Sequence, residues 1–167
     1  GASVPFLRSI ETANDFATTA AVIEEVLITY KNMGSQFKYG CCIYPTAPLL
    51  KPQKLQAAFE LLLDKNFDSV FPVLRFSYPI WRSLRMENGK VLMNWPEHLN
   101  SRSQDLPPAF HDAGQFYWFN TKTFVENRIL FTDNTGVVEL DELDVQDIDN
   151  LTDWKLAELK YQLKNNY

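Results

Sequence analysis

Apolar residues recur at helical spacing between Phe16 and Lys31, where Ile23, Val26, Leu27 and Tyr30 share a stripe and Asp15 with Thr18 or Thr19 offers capping oxygens. The next apolar run, Tyr39 to Tyr44, is short and apolar on both faces, as a strand covered on two sides would be, and Pro45-Thr46-Ala47-Pro48 ends it. A second helix is predicted with Pro52 in its first turn, Leu55, Phe59, Leu62 and Leu63 on one stripe, and a stop about Asn66. Ser69 to Leu74 again reads as a strand. The β, α, β succession repeats from Gln115 to the C-terminus, so the pattern predicts an α/β three-layer sandwich around a mostly parallel sheet with right-handed crossovers.

One stretch breaks the alternation. From Tyr78 to Asp112 the pattern gives two short strands about Glu87-Asn88-Gly89-Lys90, a hairpin signal, followed by a proline-dotted polar segment. Trp81 and Trp95 stand in it among polar neighbours. An insertion of this kind, spanning 78–108, is expected either to fold over a ligand or to pack against a second subunit of a homodimer.

At 167 residues the chain has the size of one domain able to bury a core. Its formal net charge of -5 comes from interspersed acids and bases, which argues against a nucleic-acid partner. No apolar run reaches membrane-spanning length and the start has no signal-peptide pattern, so a cytoplasmic protein without a membrane partner is expected. The neighbouring Cys41 and Cys42 point to opposite faces of a strand and read as reduced thiols; His98 and His111 lack metal-ligand spacing.

The candidate chemistry lies at Gln146-Asp147-Ile148-Asp149, ahead of an amphipathic helix. If the aspartates end a strand, twofold alternation aims Asp147 and Asp149 at one point, two hard oxygen ligands suited to Mg2+ and to a phosphorylated ligand. The alternative is that one caps the helix and the other is solvated. No glycine-rich phosphate loop follows the first strand.

Five segments in collinear order, Val4-Pro5-Phe6-Leu7-Arg8, Tyr44-Pro45-Thr46-Ala47-Pro48, Arg102-Ser103-Gln104-Asp105-Leu106, His111-Asp112-Ala113-Gly114-Gln115-Phe116-Tyr117 and Gln146-Asp147-Ile148-Asp149, resemble the acylneuraminate cytidylyltransferase family. The third and fourth are most similar to its pseudaminic acid branch. The resemblance implies a nucleotide-diphospho-sugar transferase type of fold, with a Rossmann-like sheet. It also implies transfer of CMP from CTP to a nine-carbon keto-sugar acid with release of pyrophosphate, and Mg2+ on Asp147 and Asp149. Arg8, Asp15, Thr18 and Thr19 match positions that border the nucleotide. Tyr44, Arg102, Gln104, His111 and Gln115 lie where the family approaches the sugar acid, Arg102 being the candidate for its carboxylate. Arg82 matches a basic residue presented to the neighbouring site in dimeric relatives.

Family members open with a strand and an Arg-x-Gly-Ser-Lys loop that holds the triphosphate, so the chain reads as a C-terminal portion that alone would bind CTP poorly and turn over little. A non-catalytic sugar-acid binding module is the alternative from another class. Legionaminate, sialate and ketodeoxyoctonate remain open as acceptors beside pseudaminate.

Overall fold

The computed structural model describes residues 1–165. In chain order its main elements are α1 (Thr19–Asn32), β1 (Tyr39–Ile43), α2 (Pro52–Lys65), β2 (Ser69–Arg75), β3 (Leu84–Glu87), β4 (Lys90–Met93), β5 (Phe110–Asp112), β6 (Phe116–Asn120), α3 (Thr121–Asn127), β7 (Thr135–Glu139) and α4 (Leu151–Asn165).

Local chemistry sets the helix limits. Thr18 caps α1 by accepting the Ala21 N–H, and Gly34, at φ 82°, turns the chain out of it. Pro52 opens α2 at a position whose N–H would be unpaired, and Asn66 closes it in the left-handed region. Asn120 caps α3 by accepting from Lys122 and Thr123, and the left-handed residue that ends it is Arg128. Before α4, the Asn150 side chain accepts the N–H groups of Thr152 and Asp153, while Asp153 reaches back to the N–H groups of Asp149 and Asn150. Asn150 and Asp153 therefore form the cap, and neither Asp147 nor Asp149 is used for it.

The expected mostly parallel, Rossmann-like sheet is not what forms. β1 and β2 do run the same way, as their connection through α2 requires, but β6 lies between them and pairs antiparallel with both. β5 continues that antiparallel neighbour along the second half of β2. Among the described residues, only β7 pairs parallel, with β2 from Ser69↔Thr135 to Val73↔Glu139. The sheet is therefore mostly antiparallel. Hydrophobic periodicity reports each strand and the direction its connection imposes, but not a later strand slipping in between.

Helices cover both faces. Along β6, Phe116 and Trp118 point toward α2; Phe116 forms a fully buried cluster with Ala58 and Leu62 of α2 and Val70 of β2, and the Trp118 indole N–H donates to the Leu55 carbonyl at 3.0 Å. Tyr117 and Phe119 point the other way. Phe119 packs with Ile23 of α1 and Phe124 of α3, and Tyr117 packs with Phe71 and Val73 of β2. The hairpin expected around Glu87–Lys90 is β3 and β4, joined by Asn88 and Gly89, both at positive φ (50° and 74°), the geometry of a two-residue turn that matches strand twist.

The feature that matters for the site is where β5 gives way to β6. Asp112 stands opposite Val73; three residues earlier on β2, Val70 faces not the third residue beyond Asp112 but the sixth, Trp118. The surplus is taken up by a bulge at Ala113-Gly114-Gln115, with Gly114 at φ 61°. The cause stands opposite. Pro72, fully buried in β2, accepts the Ala113 N–H through its carbonyl but has no N–H to return to the facing strand.

Candidate active site

The bulge is held from within. Gln115 is 0% exposed and its Nε2 donates to the carbonyls of Ala113 (3.1 Å) and Gly114 (3.3 Å), the acceptors that a regular ladder would have served. Its Oε1 is buried with no partner among the described residues. Gln115, expected to approach a ligand, is placed here with its side chain bracing the backbone of the bulge.

On one side of the bulge, Asp112 accepts the Gly114 N–H at 2.8 Å on one carboxylate oxygen and the Tyr117 hydroxyl at 2.7 Å on the other. Burial, followed by the hydrogen bond and charge of Asp112, pushes the Tyr117 hydroxyl pKa far up, so it stays a donor. Tyr44 packs beside Tyr117 with ring centroids 5.4 Å apart, and its hydroxyl bonds the Thr19 hydroxyl at the start of α1. These groups line a cavity of about 390 Å³, with Thr18, Thr19, Ala20, Tyr44, Asp112 and Tyr117 along one part and the segment Arg128-Ile129-Leu130-Phe131 along another. Thr18, Thr19 and Tyr44, three sequence candidates, are brought together here. Asp112, Tyr117 and Arg128 were missed as candidates. The Asp-x-x-x-x-Tyr spacing around a glycine was the available signal for the first two.

Asp147 lies against the same glycine of the bulge. A Cβ on Gly114 would meet its carboxylate at 3.6 Å, so the glycine backbone runs directly against the acid. Residues 145–149 form no strand, contrary to the alternation argument for the two aspartates. Their position comes from the preceding turn. The buried carboxylate of Asp144 is ion-paired with Lys51 at 2.9 Å and with Lys164 of α4, while Lys160 of α4 donates to the carbonyls of Glu142 (2.8 Å) and Val145 (2.6 Å). Ahead of the aspartates the chain is therefore tied by Lys51, the residue before α2, and by two lysines of α4.

Asp147 is surrounded by negative charge. Its carboxyl pKa is raised, first by desolvation and then by Asp149, with Asp153 and Asp112 adding, against one N–H bond from Ile148 that lowers it. Both Asp147 and Asp149 are exposed, and among the described residues neither carboxylate has a side-chain hydrogen bond or an ion pair. No group of three or more His, Cys, Asp or Glu among the described residues is close enough to hold a metal by itself. Two unpaired carboxylates under mutual repulsion are nevertheless a fitting donor set for Mg2+, which commonly takes one or two protein carboxylates and fills its shell with water and phosphate oxygens.

The remaining candidates are dispersed. Arg8 donates to the Thr12 carbonyl at 3.0 Å, in a segment fastened to α1 by Glu25, which accepts from Ser9 and Thr12. Those bonds, that from Thr12 first, hold the Glu25 carboxyl below its usual pKa. Asp15 and Arg82 are exposed. Arg102 places one edge of its guanidinium, Nε and a terminal nitrogen, on Asp105 at 2.6 and 3.0 Å in an exposed pair, and does not line the cavity of about 390 Å³. Gln104 lines a different cavity, of about 450 Å³, beside Phe76 and Glu139. His111 donates through Nδ1 to the Asp112 carbonyl at 2.8 Å and packs against Phe76. Cys41 and Cys42 are free, and burial pushes the Cys41 thiol up to about 12, which leaves it unreactive at neutral pH.

Fold and site together define an α/β protein whose sheet carries a carboxylate-edged cavity at a bulge. No family model matches the chain. It is similar to the pseudaminic acid cytidylyltransferase of Campylobacter jejuni, with 34% identity over 99% of this chain and 72% of that protein. A Helicobacter pylori protein named for both a pseudaminic acid cytidylyltransferase and a UDP-2,4-diacetamido-2,4,6-trideoxy-beta-L-altropyranose hydrolase is 36% identical over 97% of this chain and 31% of its own length. The CMP-N,N'-diacetyllegionaminic acid synthase of Legionella pneumophila is 28% identical over 98% of the chain and 71% of that relative. The chain belongs to the pseudaminic acid cytidylyltransferase family.

The raised pKa of Asp147 has a thermodynamic consequence. A carboxyl that holds its proton more tightly folded than unfolded makes stability fall as pH rises from the ordinary carboxylate value through the raised one, and the penalty is complete above it. Without divalent cation, Asp147→Asn is expected to raise the melting temperature at pH 7 and to leave it unchanged at pH 3, where both side chains are neutral. Thermal melts at the two pH values check this; a lower melting temperature at pH 7 would show that the carboxylate stabilises the fold.

Proposed function

We propose that this chain forms the metal and sugar-acid side of a cytidylyltransferase that transfers CMP from CTP to a nine-carbon keto-sugar acid, pseudaminic acid, with release of pyrophosphate. The observation that carries this reading is the continuous line of groups from Thr19 through Tyr44, Tyr117 and Asp112 to the Gly114 backbone and Asp147. It joins a cavity of sugar size to a pair of unpaired carboxylates within one structural unit. The family relatives are named for this activity.

Asp147 and Asp149 would hold Mg2+, which when bound neutralises phosphate charge and orients the α-phosphorus for in-line attack. The chain's own contribution is positioning. Hydroxyls of Thr19, Tyr44 and Tyr117 offer donors and acceptors to a polyhydroxylated acceptor, and the aromatic walls Phe71, Tyr117 and Phe131 exclude water around it. Use of CTP accords with a cytoplasmic location, and among the described residues no helix is long and apolar enough to cross a membrane.

A homodimer belongs to the same proposal, on a separate observation. Leu84, Met86, Val91 and Met93 occupy one face of the β3–β4 hairpin, and Met86 is 78% exposed. A two-stranded hairpin with a bare apolar face is marginal alone and gains by packing against a second copy.

Pyrophosphate release with CTP, Mg2+ and a panel of nine-carbon acids tests the activity. With an upstream strand and triphosphate-holding loop supplied by fusion, turnover is expected with pseudaminate foremost, and Asp147→Asn with Asp149→Asn should reduce it by about a hundredfold or more. Saturable binding of the acid without release by the wild type would favour the binding-module alternative. For the assembly, Met86→Glu is expected to convert a dimer to a monomer by light scattering at micromolar concentration; a wild type already monomeric would refute it.

A further inference from the structure

We infer that Asp112 is a specificity-determining residue that accepts the N–H of an acylamino substituent on the sugar acid. This rests on the cavity of about 390 Å³ holding part of that acid, as proposed above, and it concerns a neutral substituent, not the acid's carboxylate.

The Asp112 carboxylate lines the cavity already oriented. One oxygen accepts the Gly114 N–H at 2.8 Å and the other the Tyr117 hydroxyl at 2.7 Å, so the bulge and β6 fix the plane of the group before any ligand arrives. A carboxylate offers about four acceptor positions, and these bonds use two. No cation takes the rest. Among the described residues Asp112 has no ion pair, and Arg128, which shares the cavity lining, has its guanidinium on Glu24 at 3.0 Å.

The same lining supplies the two other features that an acylamino group matches. The Thr18 oxygen accepts the Ala21 N–H, which leaves its hydroxyl proton to donate. The remaining wall is apolar, with Phe71, Ile129, Leu130 and Phe131; the Phe71 ring packs on those of Tyr117 and Phe131 with centroids 5.6 and 5.7 Å apart. An acylamino group joins one N–H donor, one carbonyl acceptor and a methyl in a rigid planar unit. A lone hydroxyl would satisfy the carboxylate but leave the aromatic wall against polar atoms, and an anionic group would be repelled by Asp112.

Charge separates this role from bracing alone. Asp112 stands close enough to Asp147 to add to the repulsion on that acid. An asparagine could hold Gly114 with its oxygen and Tyr117 with its amide and avoid that cost, but its second amide proton would present the cavity with a donor in place of an acceptor.

The test follows from that exchange. Pseudaminic acid, which carries two acetamido groups, is compared with two analogues in which one or the other is replaced by acetoxy, a change that removes an N–H and keeps the carbonyl and methyl. By calorimetry or saturation-transfer NMR, the wild-type chain should bind the acid about 10- to 100-fold tighter than one of the analogues. In Asp112→Asn the difference should vanish through weaker binding of the acid, with that analogue bound no worse than by the wild type. A variant that keeps the full preference overturns the inference by placing the N–H elsewhere. A variant that loses acid and analogue alike also overturns it, by making Asp112 a strut of the cavity. Equal binding of the acid and both analogues by the wild type overturns it without any variant, and leaves the proposed function standing if the loop-bearing fusion turns the acid over. A wild type that binds none of the three removes the cavity as an acid site and the inference with it, and turnover by the fusion then decides the function separately.

Discussion

Pro72 in the middle of a buried strand is the constraint on which the site depends. A central strand owes its neighbour an N–H at every second residue, and Pro72 cannot supply one. The facing chain responds by bulging at Ala113-Gly114-Gln115, and the buried Gln115 amide takes over the two carbonyls left without a ladder partner. The bulge then does two things at once. It turns Asp112 and Tyr117 toward one cavity, and it brings a glycine backbone against Asp147. Without the slip, β5 and β6 would be one plain strand.

The site is also held at a distance by lysines. Asp147 and Asp149 follow a turn whose carboxylate and carbonyls are gripped by Lys51, Lys160 and Lys164. Cationic bonds to carbonyls leave the aspartates themselves unneutralised, so the repulsion around Asp147 persists until a cation or a proton relieves it. Stability is given up where charge is needed, the usual exchange at a functional site.

Much of this was legible in the chain. The helical stripe of α1, Pro52 and Asn66 at the ends of α2, and the Asn88-Gly89 hairpin are local signals, and each formed about where periodicity and turn chemistry placed it. The sheet was misread because order among strands is a long-range property: β6, far along the chain, separates β1 from β2, and no local pattern announces it. The site candidates divide along the same line. Thr18, Thr19 and Tyr44 converge on the cavity, Gln115 turns inward, Arg102 pairs with a neighbour, and Gln104 lines another cavity. Pro72 stood in plain view inside a strand-like run and could have forecast the bulge.

The central claim, that the bulge seats the metal carboxylates beside the acid cavity, is tested most directly by paramagnetic NMR. Mn2+ added in Mg2+'s place with CTP present should broaden the amide resonances of Asp112, Gly114 and Asp147 and leave those of the β3–β4 hairpin sharp, and the broadening should vanish in the Asp147→Asn, Asp149→Asn double variant. Broadening centred elsewhere, or unchanged in that variant, would contradict the account.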